Sequence, residues 1–390
     1  MQNSTPYFQS HLEYAMQIRR DLHQHPELGL EEVRTASVIK EKLDEYGIPY
    51  ECGIAKTGIV ASITNGNSDK CIGLRADMDA LPMQELNTFG HTSVHAGKMH
   101  ACGHDGHVVM LLMAAKYLSE NKSFDGTVRF IFQPAEESDG GARIMMEEGL
   151  FQRFPVDRIF GLHNMPGYEA GKFATKAGPL MAGRDIFDVK ITGRGGHAAM
   201  PHKGADPVLA AAQIINGLQS IISRTLDPIE SAVISVTIVK AGEAYNVIPE
   251  TVTLGGSVRY FKSETQQCIK EKIEEVSKSI AVGMGCEADV NYTDGYPPTV
   301  NDTDTSEFSV GVMKELFGPD EVDTDPQQIM ASEDFAFMLQ AIPGCYAWIG
   351  NGPGENACVL HNPKYDFNDD LLTRGAAYWV GLTERALSHD

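Results

Sequence analysis

The chain begins with two segments in which apolar residues recur at helical spacing. Phe8, Leu12, Ala15 and Leu22 fall on one face of the first helix, and a second amphipathic run follows until Gly47 stops it. Short apolar segments then alternate with helical ones. The predicted strands are "GIVASIT" (58–64), "CIGLRAD" (71–77), "TVRFIFQP" (127–134) and "RIFGLHN" (158–164), and helices are predicted at 105–119 and 140–149. This alternation predicts an α/β domain with a largely parallel mixed sheet flanked by helices.

A second pattern covers residues 184–293. Strands at 185–193, 231–241, 248–260 and 286–292, with helices at 205–225 and 263–282, give the order β-α-β-β-α-β of a split βαβ, ferredoxin-like α+β domain. The last third of the chain has predicted helices near 303–317, 332–341 and 369–388 but only the short strand "CYAWIG". Because it has too few strands to stand alone, we expect residues 184–293 to be inserted into a catalytic domain of residues 1–183 and 294–390.

Charge and composition exclude some partners. The net charge of −21 opposes binding to nucleic acid or to an anionic membrane. The longest apolar stretch, "HVVMLLMAA" (107–115), is too short to span a bilayer. The N-terminal segment is polar without an apolar secretory core, and seven scattered cysteines show no disulfide framework. We therefore expect a cytoplasmic protein.

Metal-binding residue types collect where strands end or a helix begins. The motif "HACGHDGH" (100–107) precedes a helix, while "ADMDALP" (76–82), "PAEE" (134–137) and "GLHN" (161–164) follow strands, and "LHNPKYDF" (360–367) lies in a loop. Each motif alone has a structural explanation as a polar turn or a charged helix start. Together they favour a site for Zn, Mn, Ni or Co. Of two adjacent glutamates, one can bind metal while the other acts as a general base, which indicates a metallohydrolase.

The motifs "RADMDALP", "HACGHDGH", "FQPAEE", "GLHN", "GRGGHAAMPH", "NVIPE" and "SEDF" occur in this order along the chain. In them the chain resembles the metal-dependent amidohydrolases of the aminoacylase/carboxypeptidase metallopeptidase group. This subfamily includes hippurate hydrolases, aminoacylases and indoleacetyl-amino-acid hydrolases. The resemblance extends from "RRDLHQHPELGLEE" to "FNDD" and so covers nearly all of the sequence.

The resemblance implies a centre of two divalent metal ions, with zinc expected and manganese, nickel or cobalt as alternatives. Cys102 would bridge them, His104 and His163 would complete one site, and Glu137 and His361 the other. Glu136 would be the general base on a metal-bridging water, and Asp77 would orient the site without binding metal. The wider group has a histidine ligand where this chain has Arg75, and His104 would replace it.

The inserted domain carries further candidates. "GRGGHAAMPH" (193–202) offers His197 and His202, and the resemblance makes His197 an oxyanion donor that reaches the active site of the partner subunit. The resemblance also makes Asn246 and Arg259 ligands of a substrate carboxylate, which an arginine fork can bind bidentately. A polar turn and a strand-surface salt bridge are the structural alternatives. We expect a homodimer through 184–293; a higher homo-oligomer or a monomer with a mobile lid would fit the same sequence.

The implied reaction is hydrolysis of the amide bond of a small-molecule N-acyl amino acid, aroyl or acetyl, to a carboxylic acid and a free amino acid. A dipeptidase or an N-acetyl-diaminopimelate-type deacetylase on the same scaffold is the alternative enzyme. A non-catalytic metal-binding module would lack the general base, and a purely structural dimerisation protein would not need ligand types at strand ends.

Overall fold

A computed structural model describes residues 4–352 and 358–388. Ten α-helices lie within these ranges: α1 Thr5–Gln24, α2 Val33–Glu45, α3 His104–Glu120, α4 Gly141–Glu147, α5 Leu150–Arg153, α6 Pro207–Ser220, α7 Ser263–Gly283, α8 Thr303–Phe317, α9 Ala336–Ala341 and α10 Leu371–Ala386. None of them is both long and apolar enough to cross a membrane.

The strands alternate with the helices along most of the described chain. They are β1 Tyr50–Ile54, β2 Gly58–Asn65, β3 Cys71–Asp77, β4 Gly126–Gln133, β5 Arg158–Pro166, β6 Phe173–Ala174, β7 Gly178–Met181, β8 Gly183–Thr192, β9 Gly196–His197, β10 Ala232–Ala241, β11 Val247–Ile248, β12 Thr251–Tyr260, β13 Glu287–Tyr296, β14 Thr299–Asn301, β15 Val322–Asp323 and β16 Gly344–Gly352.

The chain forms two compact units, of which unit 1 comprises Met1–Leu180, Val300–Gln327 and Asp334–Asp390. Its eight-stranded sheet has the order β1-β2-β4-β3-β5-β16-β6-β15. Strand β3 is parallel to both of its neighbours, β4 and β5, and β16 is parallel to β5. The pairs β1–β2, β2–β4 and β6–β16 are antiparallel. This is the mixed, helix-flanked sheet expected from the sequence. Strand β3 is buried throughout, which explains the absence of charged residues from 71 to 74, whereas the charged residues at its carboxyl end, Arg75 and Asp77, pair with each other.

Helix α3 lies in the core of unit 1. Every residue from His104 to Ala115 is buried, and the helix packs against α1, α10 and β3. Its sequence is therefore apolar on all sides over residues 108–115, as expected for a stretch of helix without a solvent face. Since α3 begins beside the carboxyl ends of the parallel strands, its polar first turn points at the edge where α/β proteins place their functional sites.

Unit 2 comprises Met181–Thr299 and Gln328–Glu333. Its four-stranded antiparallel sheet has the order β10-β12-β8-β13, and α6 and α7 pack on it through a separate apolar core. Buried and more exposed positions alternate along β8, as expected for a sheet with one covered face. This is the split βαβ arrangement predicted from the sequence.

Several element boundaries differ from those predicted. The helix expected at 205–225 ends at Ser220 and continues as a π-helical turn over Ile221–Thr225. The strand expected at 248–260 is divided around Pro249, because proline cannot donate a ladder hydrogen bond. Unit 2 begins three residues before the expected 184, ends after the expected 293, and also takes in Gln328–Glu333.

Candidate metal centre and active site

The ligand types found in the motifs meet at one edge of the unit 1 sheet. Asp77 ends β3, His163 lies in β5, and Cys102 lies two residues before the start of α3. The two glutamates of "PAEE" follow the end of β4, and His361 lies in the loop before α10. Sequence-distant elements are therefore brought together because the parallel strands end at the same edge.

One group of candidate ligands consists of Cys102, Glu137 and His361. One ligand atom from each lies within 4.8 Å of the others. His361 Nε2 is 3.1 Å from Glu137 Oε1, and His361 itself adopts a left-handed φ of 63°. A thiolate, a carboxylate and an imidazole in this arrangement match the donor set of zinc and similar divalent metals.

His163 and His104 extend this group. His163 donates its Nδ1 hydrogen to the backbone carbonyl of Asn164 at 2.6 Å, which leaves Nε2 facing Cys102 Sγ at 3.4 Å. His104 Nδ1 lies 3.2 Å from an oxygen of Asp79, and its Nε2 lies 3.9 Å from Glu137 Oε1. In both residues one ring nitrogen is held by an oxygen acceptor, which is the usual way of orienting a metal-binding histidine.

The buried Nε2 of His104 tests whether a metal ion suits the site. This atom has no hydrogen-bond partner among the described residues, although its surroundings include Asp77 Oδ2 at 3.8 Å. An unpartnered polar atom is costly inside a protein. A divalent cation between these groups would satisfy it, so the residues present fit the implied metal.

Acidic neighbours shape the protonation of the candidate ligands. Burial raises the pKa of the Cys102 thiol well above its usual range, and Glu137 and Glu136 raise it further. Burial opposes the charged form of His104, but Asp77 and Asp79 outweigh burial and raise its pKa to about 10. This surplus of negative charge attracts cations, and a bound metal would displace the thiol and imidazolium protons.

His107 lies in the same cluster but is fully engaged in hydrogen bonds. Its Nδ1 lies 2.6 Å from Asp77 Oδ1, and its Nε2 accepts from the Asn164 backbone N–H at 3.0 Å. No lone pair of the ring remains for a metal. We therefore place His107 beside the candidate ligands as a support for Asp77, even though its atoms lie within 4.8 Å of theirs.

Glu136 is buried and directed differently from its neighbour Glu137. Its Oε1 accepts from the backbone N–H of Asp334 at 3.4 Å, whereas Glu137 pairs with His361. Carboxylate oxygens of both glutamates lie within 4.8 Å of a ring nitrogen of His104. The carboxylate of Glu137 thus faces the candidate metal positions. The carboxylate of Glu136 lies beside them, which suits a general base.

A buried cluster of charged and polar side chains holds Asp77 in place by hydrogen bonds. Arg75 donates to Asp77 Oδ2 at 2.7 Å and to Asp334 Oδ1 at 3.1 Å. Its Nε also donates to Gln133 Oε1 at 2.7 Å. Burial would raise the pKa of Asp77, but His104, Arg75 and His107 hold it well below its ordinary value. Asp77 therefore stays ionised, with both oxygens occupied by hydrogen bonds.

The candidates in the inserted segment lie in unit 2. His197 ends the short strand β9, which pairs with β11, and its side chain is exposed. The backbone carbonyl of Asn246 accepts from Ala198 at 3.0 Å, so His197 and Asn246 lie on neighbouring backbone. His202 is exposed on a short 3₁₀ turn.

Arg259 is half-buried in β12 opposite Arg184. Its guanidinium donates to the backbone carbonyls of Met330 and Val258 at 3.2 and 3.1 Å. Burial and the charge of Arg184 lower its pKa. Among the ion pairs of the described residues none involves Arg259, so the strand-surface salt bridge considered as its alternative role is not formed there.

Sequence reasoning did not assign roles to Asp79, His107, Asn164 and Asp334. All four lie inside motifs that were recognised. Asn164 is one example: its Nδ2 donates to the Cys102 carbonyl at 2.6 Å, and its Oδ1 accepts from Tyr365 at 2.6 Å. In the sequence these residues are distinguished only by their position next to candidate ligands. The fold is needed to show which of them hold a ligand in place.

Comparison with known proteins identifies the family of the chain. Residues 73–385 match the sequence profile of peptidase family M20/M25/M40. The chain is 45% identical to hippurate hydrolase of Campylobacter jejuni over 95% of this chain and 96% of that one. It is 43% identical to an IAA-amino acid hydrolase of Arabidopsis thaliana, covering 96% of this chain and 85% of the relative. A dinuclear metal-binding M20 peptidase from Bacillus subtilis superposes with a TM-score of 0.85 at 36% identity, covering 97% of this chain and 99% of that one. The chain therefore belongs to peptidase family M20/M25/M40 and is a metal-dependent amidohydrolase of that family.

Proposed function

We propose that the protein hydrolyses the amide bond of N-acyl amino acids at a centre of two divalent metal ions. The observation that carries the proposal is the grouping of Cys102, Glu137 and His361, together with His104 and His163, beside the separately directed carboxylate of Glu136. The hippurate hydrolase relative, 45% identical over 95% of this chain, supports this class of substrate.

Cys102 would bridge the two ions, with His104 and His163 on one and Glu137 and His361 on the other. Two such ions polarise an amide carbonyl and lower the pKa of a coordinated water. Zinc is the expected metal because one position would have a thiolate and two imidazoles, and the other a thiolate, a carboxylate and an imidazole. Manganese, cobalt and nickel remain the alternatives to test.

Glu136 is the proton carrier of the proposed reaction. Its carboxylate accepts a proton from the attacking water as the new C–O bond forms at the amide carbon. The same proton then passes to the amide nitrogen as the C–N bond breaks, so that a carboxylic acid and an amino acid leave. Glu136 is buried beside the candidate ligands, and its Oε1 accepts from the backbone N–H of Asp334 at 3.4 Å, a position from which a carboxylate can serve as the base.

Residues of unit 2 would recognise the substrate. Arg259 is a cation without a carboxylate partner among the described residues, and its fork matches the free carboxylate of an amino-acid product. Asn246 would share this carboxylate. His197 would donate to the oxyanion of the partner subunit's reaction, which requires a dimer.

Exposed apolar side chains on unit 2 support that dimer. Val208 and Leu209 on α6 are 42% and 51% exposed, and Ile238 and Val239 on the edge strand β10 are 45% and 58% exposed. An edge strand with apolar side chains is a common site of pairing with a second copy. Mixing inactive Glu136→Gln and His197→Ala proteins should restore activity if His197 acts across the dimer, and should not if each chain is self-sufficient.

The central experiment combines metal analysis with a substrate panel. We expect about two metals per chain and hydrolysis of N-benzoyl- and N-acetyl-amino acids that chelation abolishes and zinc or manganese restores. Glu136→Gln should lose turnover and keep its metal, whereas Cys102→Ala should lose metal. Cleavage of dipeptides or of N-acetyl-diaminopimelate in preference to all other N-acyl amino acids would favour the alternative enzymes. Purified protein that binds no metal would refute the proposal.

A further inference from the structure

Glu32, directly before α2, is a buried carboxyl group with no cationic partner in the described part of the chain. Its exposure is 0%, and no ion pair among the described residues includes it. Its Oε1 accepts from the backbone N–H of Ala135 at 2.9 Å, and its Oε2 accepts from Thr57 Oγ1 at 2.7 Å. Burial raises its pKa to about 7, and the nearby charge of Asp79 adds to the effect. Such a group is expensive to bury, which calls for a function.

The partner of Glu32 is the residue that precedes the two glutamates of the candidate site. Ala135 has a left-handed φ of 54° and is completely buried. This conformation costs an alanine about 1 kcal/mol or more relative to ordinary backbone. It turns the chain sharply between the end of β4 and the glutamates. The conformation of Ala135 sets the direction of Glu136, and the hydrogen bond from the Ala135 N–H to Glu32 therefore acts at the residue that matters for that direction.

Strained backbone collects around Glu32. Five residues other than glycine have positive φ in the described chain, and four of them are Ala135 itself or lie within two residues of Glu32 or Thr57: Leu30, Ala55, Lys56 and Ala135. The fifth is His361, a candidate ligand. Backbone strain of this kind persists only where surrounding contacts enforce it, and it concentrates at functional sites.

The loop that carries Glu136 and Glu137 is fixed at three points. The carbonyl of Ala135 accepts from Gly140 and Gly141 at 3.1 and 3.0 Å. The N–H of Glu137 donates to Asp79 at 3.0 Å. Glu32 supplies the third point from a different element, α2, and ties the loop to the β1–β2 turn through Thr57.

We propose that Glu32 is a positioning residue that holds Ala135 in its left-handed conformation and so directs Glu136 and Glu137 into the metal centre. The role rests on the proposed function, because Glu136 is the base and Glu137 a ligand only there. Glu32 itself touches neither substrate nor metal in this scheme.

The variants separate this role from a general effect on folding. Glu32→Met keeps the side-chain length and removes both acceptor oxygens. Glu32→Gln keeps one acceptor for Ala135 and can donate to Thr57. Glu384→Met is a matched control, since Glu384 is a buried glutamate that also accepts from a serine hydroxyl, Ser123, but lies in α10 away from the site.

We expect Glu32→Met to lower kcat about 10- to 100-fold with little change in KM. Titration of the apoprotein with Zn²⁺ should show one of the two ions bound more weakly by a similar factor, because Glu137 serves only one of them. Glu32→Gln should stay within about threefold of the wild type, and Glu384→Met should lose stability without altering either readout.

The double variant Glu32→Met/Ala135→Gly gives an independent measurement of kcat and Zn²⁺ affinity. Glycine adopts positive φ freely, so Ala135→Gly should restore much of the kcat and Zn²⁺ affinity lost in Glu32→Met. Equal behaviour of Glu32→Met and Glu384→Met, or additive effects of Glu32→Met and Ala135→Gly, would overturn the proposal. If the wild type hydrolyses no N-acyl amino acid, the proposed function fails, while the Zn²⁺ titrations still decide the role of Glu32.

Discussion

Replacing Arg75 by methionine would remove the only guanidinium of the buried Arg75 cluster, which consists of Arg75, Asp77, Gln133 and Asp334. Arg75 is 1% exposed, and both aspartates are completely buried. Methionine fills similar space, so the change deletes charge and hydrogen bonds with little change in volume. Two carboxylates would then remain in the core without the cation that faces them.

The size of the effect follows from the contacts. The donor bonds lost include those at 2.7, 2.7 and 3.1 Å, and bonds to charged groups contribute about 1.5–3 kcal/mol each. Part of this is retained, because Asp77 still accepts from His107 and Asp334 still accepts from Gln133 and Ala142. We expect a net loss of about 3–5 kcal/mol of unfolding free energy, as for other broken buried ion pairs.

Urea unfolding followed by tryptophan fluorescence would measure this loss. Both tryptophans, Trp348 and Trp379, are buried in unit 1, so their signal reports the unit that contains the cluster. A chelator should be present throughout, because bound metal would add its own stabilisation. Arg75→Lys is the control that keeps a charge but cannot serve three partners with a fork, and it should lose less.

Two results would refute the reasoning. One is a loss below about 1 kcal/mol for Arg75→Met, which would place the cluster's contribution near that of an exposed ion pair. The other is the absence of any recovery when Asp334→Asn is added. Removing the charge of Asp334 should restore part of the stability, because the penalty arises from buried carboxylates that have lost the Arg75 cation.

Three further predictions concern other parts of the chain. Asn164→Ala should weaken metal affinity about 10- to 100-fold, measured by competition with a chelator, because its amide holds the Cys102 carbonyl at 2.6 Å. Glu32→Gln should become more stable than the wild type as pH rises from about 4.5 to about 7, by up to about 3 kcal/mol in urea unfolding of the apoprotein. The raised pKa of Glu32 means that its ionisation destabilises the fold, and glutamine does not ionise. Arg259→Gln should raise KM for N-acyl amino acids with metal content unchanged, measured by steady-state kinetics.

Each of these has a clear opposite outcome. Unchanged metal affinity in Asn164→Ala would mean that the Cys102 loop keeps its place without the amide. A difference between Glu32→Gln and the wild type that stays flat with pH would show that Glu32 titrates normally. A lowered kcat with unchanged KM in Arg259→Gln would mean that Arg259 acts in the chemical step and not in substrate binding.

The regular elements of the fold were predictable because their patterns are local. Strand β3 begins with the uncharged buried run of residues 71–74, and the alternation in β8 marks a sheet with one covered face. The strands missed in unit 1, such as Phe173–Ala174 and Val322–Asp323, have two residues each and are fixed by pairing with distant partners. A two-residue segment carries no periodicity, so only the tertiary structure defines it.

The candidate ligands were also accessible from sequence, since they are unusual residue types at strand ends. Their supports were not. His107 stands in the same motif as His104, and only the bond from the Asn164 backbone to its Nε2 removes it from the candidates for metal binding. Glu32 lies more than a hundred residues before Ala135, and nothing local to "LGLEE" indicates that its carboxyl group meets the loop of the glutamates.

The burial of helix α3 over its first twelve residues has a consequence for how the enzyme can change over evolution. The first residue of α3 is a candidate ligand, and residues 105–115 are all buried, so nearly every substitution there disturbs the core and the chemistry together. The candidate recognition residues His197 and Asn246 instead stand on exposed two-residue strands or the turns beside them, where substitutions are usually tolerated. Changes of acyl or amino-acid preference should therefore accumulate in the exposed turns beside those short strands while the hydrolytic centre and His197 stay constant, and libraries randomised in those turns should yield new specificities without loss of metal.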